Sequence, residues 1–567
     1  MKILLAAVNT KYIHFNPALR LLKAYLGETP EDTEVRIREY TINHYAEDVL
    51  AGIYEETPDV IMFSCYIWNW NFIRGLFPDL KKVLPDAQLW LGGPEVSFDP
   101  ERILEDHPEV KGILLGEGEA TFRELVLEHY VLHRKDLTRI PGLCVRTDRI
   151  LRTGDRPLLS MDEIPFFYNE EVLRELEHKI LYYESSRGCP FRCSYCLSSV
   201  SRKVRLRSLE KVYPELQFFL DHRVKQVKFV DRTFNADRDH TMGILTYLAE
   251  HDNQVTNFHF EVAGDLITEE ELALMSRMRP GLIQLEIGVQ TTHPETIRAI
   301  HRTMDLERLR QVVKRIYEMG TVHIHLDLIA GLPFEGPQRF RKSFDDVYQM
   351  HPAQLQLGFL KVLKGSSMYT DADKYHILYR TDPPYEVLST EWMSYKEILK
   401  LKRLEEMVEV YYNSRQFTKT LEVLQREFSS ASELYEQLAG YYEQQGFFVN
   451  SPSREARYQV LLQFISGICP ERTGLYRELL TYDLYLRENL KKRPAFALDP
   501  EPFRRQIRRL RTTRDYHVEV FFYPVDQEKA EQILHPSPEP IFLEFDYGHR
   551  SPLDHNAAVR RVDPESV

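Results

Sequence analysis

Cys189, Cys193 and Cys196 stand in the run Glu184-Ser185-Ser186-Arg187-Gly188-Cys189-Pro190-Phe191-Arg192-Cys193-Ser194-Tyr195-Cys196, with the spacing C-x3-C-x2-C. Closely spaced thiolates hold iron–sulfur clusters, and a cubane normally takes four of them. Three thiolates would leave one iron with an open coordination position, which is what a metal site needs to bind a substrate or a second cofactor. Zinc is the alternative, but zinc wants a fourth protein ligand. No other Cys or His lies within a few residues of this loop. The cysteines follow the largely apolar run 179–183, which reads as a strand, so they sit on a loop at a strand's C-terminal end.

The segment resembles the signature loop of the radical S-adenosylmethionine (SAM) enzymes. That resemblance implies a [4Fe-4S] cluster on the three cysteines. Its open iron would bind the amino and carboxylate groups of SAM, and its reduced form would cleave SAM to a 5′-deoxyadenosyl radical. Tyr195 fills the position before the third cysteine, where the family has an aromatic that packs near the adenine. The flanking Arg-Gly-Cys-Pro-Phe-Arg-Cys is similar to the family branch that carries cobalamin or methylthiolates its substrates.

These residues need a scaffold, and 567 residues allow about three or four domains. Residues 1–140 alternate strand candidates (2–8, 34–39, 60–64, 88–91, 112–115) with helical stretches such as 17–26 and 71–83, which argues for a parallel sheet wrapped by helices. Ligands of such sheets bind at the strands' C-terminal ends. Asn9-Thr10, the stretch from Ser64 through Tyr66 to Trp70, Gly92-Gly93-Pro94-Glu95 and Gly116-Glu117-Gly118-Glu119 all fall there. Glycine at these points lets backbone amides approach a ligand closely. The pattern resembles the Rossmann-like cobalamin-binding domain that precedes many radical SAM domains, where Gly-Gly-Pro and Gly-Glu-Gly-Glu loops cradle the corrin's nucleotide tail. By that resemblance Asn9, Thr10, Ser64, Tyr66, Gly92, Gly93, Pro94, Glu95, Gly116, Glu117 and Gly118 would bind cobalamin.

One departure matters. The usual domain has an Asp-x-His-x-x-Gly loop whose His ligates cobalt, whereas His14 here has neither the Asp two residues before it nor the Gly three after it. A hydrogen-bonded loop histidine is the alternative role. Likewise Cys65-Tyr66-Ile67-Trp68-Asn69-Trp70 would either pack on the corrin face or form ordinary core.

Residues 141–178 read as a linker. Residues 179–369 repeat a strand–helix unit about six times, with strand candidates at 179–184, 226–230, 257–262, 283–289, 323–329 and 354–359. Six such units suggest a partial (β/α)6 TIM-like barrel with reactive groups on the loops at strand C-termini. The span is similar to the radical SAM core. Glu261, Gln290 and Asp327 fall at or near strand ends, and Arg302 follows the fourth. Carboxylates suit the SAM ammonium or ribose hydroxyls, and a guanidinium suits its carboxylate. The resemblance thus implies a SAM pocket of Tyr195, Glu261, Gln290, Arg302 and Asp327, with a structural hydrogen bond as the alternative role of each.

Residues 370–567 read as mostly helical, with strands at 517–523 and 540–547, and resemble an uncharacterised C-terminal extension found on some cobalamin-type radical SAM proteins. Arg504, Arg505, Arg508, Arg509, Arg511 and Arg514 form a basic run. It would touch RNA or another anion, or form a solvated face. The net charge of −13 argues against nucleic-acid binding by the chain as a whole. Six cysteines, three of them in one loop, give no disulfide framework, and a reducing cytoplasm is the default. Residues 1–8 read as a first strand rather than a signal peptide. No run is long and apolar enough to span a membrane.

Together these readings imply an α/β chain that is a cobalamin-dependent radical SAM enzyme. Methylcobalamin would pass a methyl group to an unactivated carbon of an unknown substrate, a second SAM would remethylate the corrin, and a reducing partner such as flavodoxin or ferredoxin would be required. A rearrangement, cyclisation or oxidation, with cobalamin as electron relay or absent, is the alternative; a non-catalytic corrin or iron–sulfur sensor is a second. Methylthiotransferases resemble this chain in the core but use three further cysteines before the barrel, where only Cys65 and Cys144 stand.

Overall fold

The computed structural model describes residues 1–200, 203–510 and 515–564. The chain divides into two compact units. The first comprises Met1–Met275, Ile297–Met304 and Phe359–Glu391, and the second Ser276–Thr296, Asp305–Gly358 and Trp392–Val567.

The first unit begins with strands β1 (Lys2–Asn9), β2 (Glu34–Thr41), β3 (Val60–Ser64), β4 (Gln88–Gly92) and β5 (Val110–Leu114), all parallel, in the order β2-β1-β3-β4-β5. β1 and β3 are almost wholly buried, as expected for parallel strands covered on both faces. Alternate residues feed two cores: Leu4, Ala6, Ile61 and Phe63 pack with Trp70 and Phe77, whereas Ile3, Leu5 and Met62 pack with Trp90 and Phe122. Helix Pro17–Leu26 starts where Asn16 caps the Leu19 amide and proline fills the first turn.

Strands β6 (Leu143–Arg146) and β7 (Ile150–Arg152) return antiparallel and extend this sheet to seven strands. This hairpin falls in the segment that reads from sequence as a linker. Its strands are short, and β7 is not buried, so no apolar run betrays them.

Strand β8 (Leu181–Tyr183) leads into the cysteine loop. Within that loop β9 (Ser186–Arg187) pairs antiparallel with β10 (Arg205–Leu206). Strands β11 (Gln226–Phe229) and β12 (Asn257–Val262) follow, giving the parallel order β8-β11-β12. In the second unit β13 (Ile283–Gln290), β14 (His323–Ala330) and β15 (Gln354–Phe359) run in sequential order, and a bulge in β13 lies between Gly288 and Gln290. Helix Leu306–Met319 is capped by Asp305 at its start and by left-handed Gly320 at its end.

The rest of the second unit is largely helical, with helices Ala431–Gln445, Arg454–Ile468 and Thr473–Arg487 and a three-stranded antiparallel sheet of Tyr516–Phe521, Ile541–Arg550 and Ala557–Arg561. Buried Asp483 accepts the Lys419 and Thr420 amides that open helix Thr418–Leu424. The basic run lies partly on helix Arg504–Leu510. Its Ile507 and Leu510 pack with Val518, Val520 and Phe542, while Arg504, Arg505, Arg508 and Arg509 are exposed. Arg511 and Arg514 lie outside the described residues. Among the described residues no helix is long and apolar enough to cross a membrane.

Candidate cofactor site

The cysteine loop is built by anchors on both sides. Upstream, the Ser185 and Ser186 amides each donate to Asp231 Oδ1 at 2.8 Å, and the Ser185 hydroxyl donates to Asp231 Oδ2. Asp231 follows β11 and is completely buried, and burial raises its carboxyl to about 7 against the pull of these donors. Downstream, the Ser194 amide donates to the Ile300 carbonyl at 2.9 Å, and the Met368 amide donates to the Ser194 carbonyl at 2.7 Å. Gly188 sits between them at φ +97°, a conformation that a side chain would strain.

The three thiols are free, with Cys189 and Cys193 buried and Cys196 half-buried. Cys189 Sγ lies 3.5 Å from Thr233 Oγ1. Arg302 Nη1 lies 3.7 Å from Cys193 Sγ and donates to the Tyr195 hydroxyl at 3.3 Å. Burial raises the Cys193 thiol, and the Arg302 guanidinium opposes that rise. Tyr195, Arg302 and the cysteines are thus brought together. The guanidinium expected for a SAM carboxylate also faces a cysteine sulfur.

A cavity of about 590 Å³ opens beside this loop. One wall is Gly92-Gly93-Pro94 and Gly116-Glu117-Gly118, after β4 and β5, with Ser64 and Tyr66 after β3. The facing wall includes Phe166, Tyr182, Arg187, Gly188 and Arg232. Gly93 has φ +109°, and a Cβ there would stand 2.5 Å from the Cys65 carbonyl oxygen. Gly116 has φ +67°. At Gly93 only glycine fits without displacement, whereas at Gly116 the space is open and the positive φ alone favours glycine.

Three residues expected at the corrin lie off the cavity wall. Asn9 is buried, with its side-chain amide 3.4 Å from the His14 carbonyl and 3.5 Å from Glu39. Thr10 follows it. Glu95 is buried and accepts the Tyr385 hydroxyl, and burial raises its carboxyl. His14 Nδ1 lies 2.5 Å from the Tyr182 hydroxyl, a contact that orients the ring. Within the aromatic cluster, Tyr66 stacks on Trp68 at 4.3 Å, whereas Trp70 is core. Cys65 is wholly buried, and burial raises its thiol far above the usual range. Cys144 and Cys469 are also buried. Glu261 ends β12, 3.8 Å from Lys228 Nζ. Gln290 and Asp327 belong to the second unit; Gln290 stands at φ +69°, and its buried Oε1 has no hydrogen-bond partner among the described residues.

Three family models match in sequence. They are a B12 binding domain over residues 3–126, the radical SAM superfamily over 183–347, and a protein of unknown function, DUF4080, over 373–543. The chain thus combines a B12 binding domain, a radical SAM domain and a DUF4080 region. Among curated relatives, the 2-(S-pantetheinyl)-carbapenam-3-carboxylate methyltransferase of Streptantibioticus cattleyicolor is 29% identical over 328 residues, covering 53% of this chain and 46% of its own. The cobalamin-dependent radical SAM methyltransferase TokK of Streptomyces tokunonensis is 27% identical over 331 residues, with the same coverage. The chain thus spans about half the length of these relatives. In fold it is similar to the cobalamin-dependent S-adenosylmethionine radical enzyme OxsB, at a TM-score of 0.59 and 14% identity, over 85% of this chain and 80% of that one.

The residues present fit the groups these families imply. Three free, clustered cysteines suit a cluster with an open iron. The cavity of about 590 Å³, walled in part by glycines, leaves room for a ligand to lie close to the backbone. The pairing roles of Arg187, Asp231 and Glu119 are not part of the sequence reading. Position just after a strand was the available signal for Asp231; Arg187 and Glu119 declare themselves only through their partners in space. Tyr385, far along the chain, had no signal.

Proposed function

We propose that this protein is a cobalamin-dependent radical SAM enzyme that transfers a methyl group to an unactivated carbon of its substrate. The observation that carries this reading is a shared wall. Arg187 and Gly188, which precede Cys189, and Leu197 and Ser198, which follow Cys196, border the same cavity as the glycine loops. A ligand filling the cavity would therefore lie beside the cysteines.

Cys189, Cys193 and Cys196 would hold a [4Fe-4S] cluster, and Ser64, Tyr66, Gly92, Gly93, Pro94, Gly116, Glu117 and Gly118 would hold cobalamin. When bound, the cluster would supply the electron that cleaves SAM, and the corrin would carry the methyl group. Tyr195 and Arg302 would frame SAM at the cysteine end. Glu261, in the same unit, offers an acceptor for its ammonium or ribose hydroxyls. Burial and the raised thiol support a structural role for Cys65. The reaction would draw electrons from a flavodoxin- or ferredoxin-type donor in a reducing cytoplasm. The similarity to TokK, itself named a cobalamin-dependent radical SAM methyltransferase, supports methyl transfer.

The test is anaerobic reconstitution with iron, sulfide and hydroxocobalamin, followed by incubation with methyl-labelled SAM, reductant and cell extract. Label should enter one extract component in step with 5′-deoxyadenosine formation. 5′-Deoxyadenosine without label transfer would replace methyl transfer by a rearrangement, cyclisation or oxidation. Cofactor binding without any SAM cleavage would leave a sensor.

A further inference from the structure

Arg187 lies two residues before Cys189, and its side chain is only 13% exposed. Its guanidinium meets three carboxylates: Nε is 2.8 Å from Glu184, Nη2 is 2.6 Å from Glu119, and Nη1 is 3.2 Å from Glu117. Glu184 is local, but Glu117 and Glu119 come from the Gly116-Glu117-Gly118-Glu119 loop that walls the cavity. Arg205, on the strand paired with Arg187, also reaches Glu117. The glycine loop and the cysteine loop are therefore held by one buried charge network, in which three carboxylates face two guanidiniums.

We propose that Arg187, gripped by Glu117 and Glu119, is a positioning residue that sets the cysteine loop from the corrin side, so that filling the cavity and retaining the cluster are linked. This rests on the reading of the cavity and cysteines given above. The physical reason is local stiffness. Only Gly188 separates the anchored guanidinium's residue from the first thiol. The peptide before Arg187 is clamped to Asp231, so the direction of Cys189 is fixed from both sides. Loss of Arg187 would leave three carboxylates facing the single guanidinium of Arg205, and loss of the Glu119 charge would remove the shortest of Arg187's three contacts. A ligand packed against Gly116–Gly118 holds Glu117 and Glu119 in place and strengthens the same grip. By linkage, the cluster must favour the ligand equally.

The experiment measures cluster loss to a chelator in the reconstituted full chain, by iron and sulfide content and visible absorbance, with and without hydroxocobalamin. Glu119→Gln and Arg187→Met are compared with Glu124→Gln. That control removes an ion pair at the far end of helix Glu119–Glu124, Glu124 with Arg156. Removing a charge-assisted hydrogen bond of this kind corresponds to about a tenfold change or more. Cluster loss should speed up by about that factor in Glu119→Gln and Arg187→Met and stay unchanged in Glu124→Gln. Hydroxocobalamin should slow the loss in native protein and fail to do so in Arg187→Met. If Arg187→Met does not fold, Glu119→Gln carries the same comparison. Native loss rates in Glu119→Gln, or full hydroxocobalamin protection in a folded Arg187→Met, would overturn the inference. Native protein that assembles no cluster at all would instead overturn the functional reading.

Discussion

Gly93→Ala perturbs the cavity wall by a single methyl group. The backbone there stands at φ +109°, and the added Cβ would come within 2.5 Å of the Cys65 carbonyl oxygen, 3.1 Å of its nitrogen and 3.3 Å of its carbonyl carbon. All three are backbone atoms of the turn after β3, so no flexible side chain can swing aside. The left-handed conformation costs a non-glycine residue on the order of 1–3 kcal/mol, and forcing an extra carbon against fixed backbone costs about as much again. The loop relieves this by moving outward, into the space the corrin would take. If about 3 kcal/mol of that is recovered only while the cavity is empty, cobalamin affinity falls about 100-fold. The assay is titration of apoprotein with hydroxocobalamin by visible absorbance, with circular dichroism to confirm the fold. Gly27→Ala is the control: Gly27 has φ +73° but nothing within 4 Å of its Cβ direction, so it carries strain without touching the cavity. Affinity within about threefold of native in folded Gly93→Ala would refute the reasoning.

Tyr385→Phe removes the hydroxyl that donates to buried Glu95 and should cost about 1–3 kcal/mol in urea unfolding; no measurable loss would mean Glu95 is satisfied otherwise. In the C-terminal region, burial raises the Glu478 carboxyl to about 7 against the Phe522 and Tyr523 amides that pull it down. Because the folded value lies above the unfolded one, this contribution to stability is complete below about pH 4.5 and is lost as pH rises through about 7. Glu478→Gln should flatten that part of the stability profile by up to about 1.4 kcal/mol per pH unit. Identical native and variant profiles between about pH 5 and 7 would show that the carboxyl does not titrate there.

β1 and β3 were legible because burial on both faces makes them continuous apolar runs, and β3, β12 and helix Pro17–Leu26 have the bounds their patterns suggest. The β6–β7 hairpin was not, since an edge hairpin of short, partly polar strands has no such run. The last strand, Ala557–Arg561, was missed for the same reason, being largely exposed and ending in two arginines. At the site, glycines are readable because positive φ and close approach demand them at Gly93, and positive φ alone favours one at Gly116. Carboxylates are not, because Glu117 and Glu95 offer the same chemistry to a ligand, to Arg187 or to Tyr385, and only the folded chain decides between them. His14 likewise finds its partner, Tyr182, only in space.

The central claim is that three cysteines beside a corrin cavity initiate radical chemistry from SAM, and it is tested most directly by reducing the reconstituted protein with SAM alone under anaerobic conditions. Native protein should hold about four irons per chain and release 5′-deoxyadenosine, whereas the Cys189→Ala, Cys193→Ala, Cys196→Ala triple variant should hold no cluster and release none. A full cluster in the triple variant, or no 5′-deoxyadenosine from cluster-loaded native protein, would contradict it.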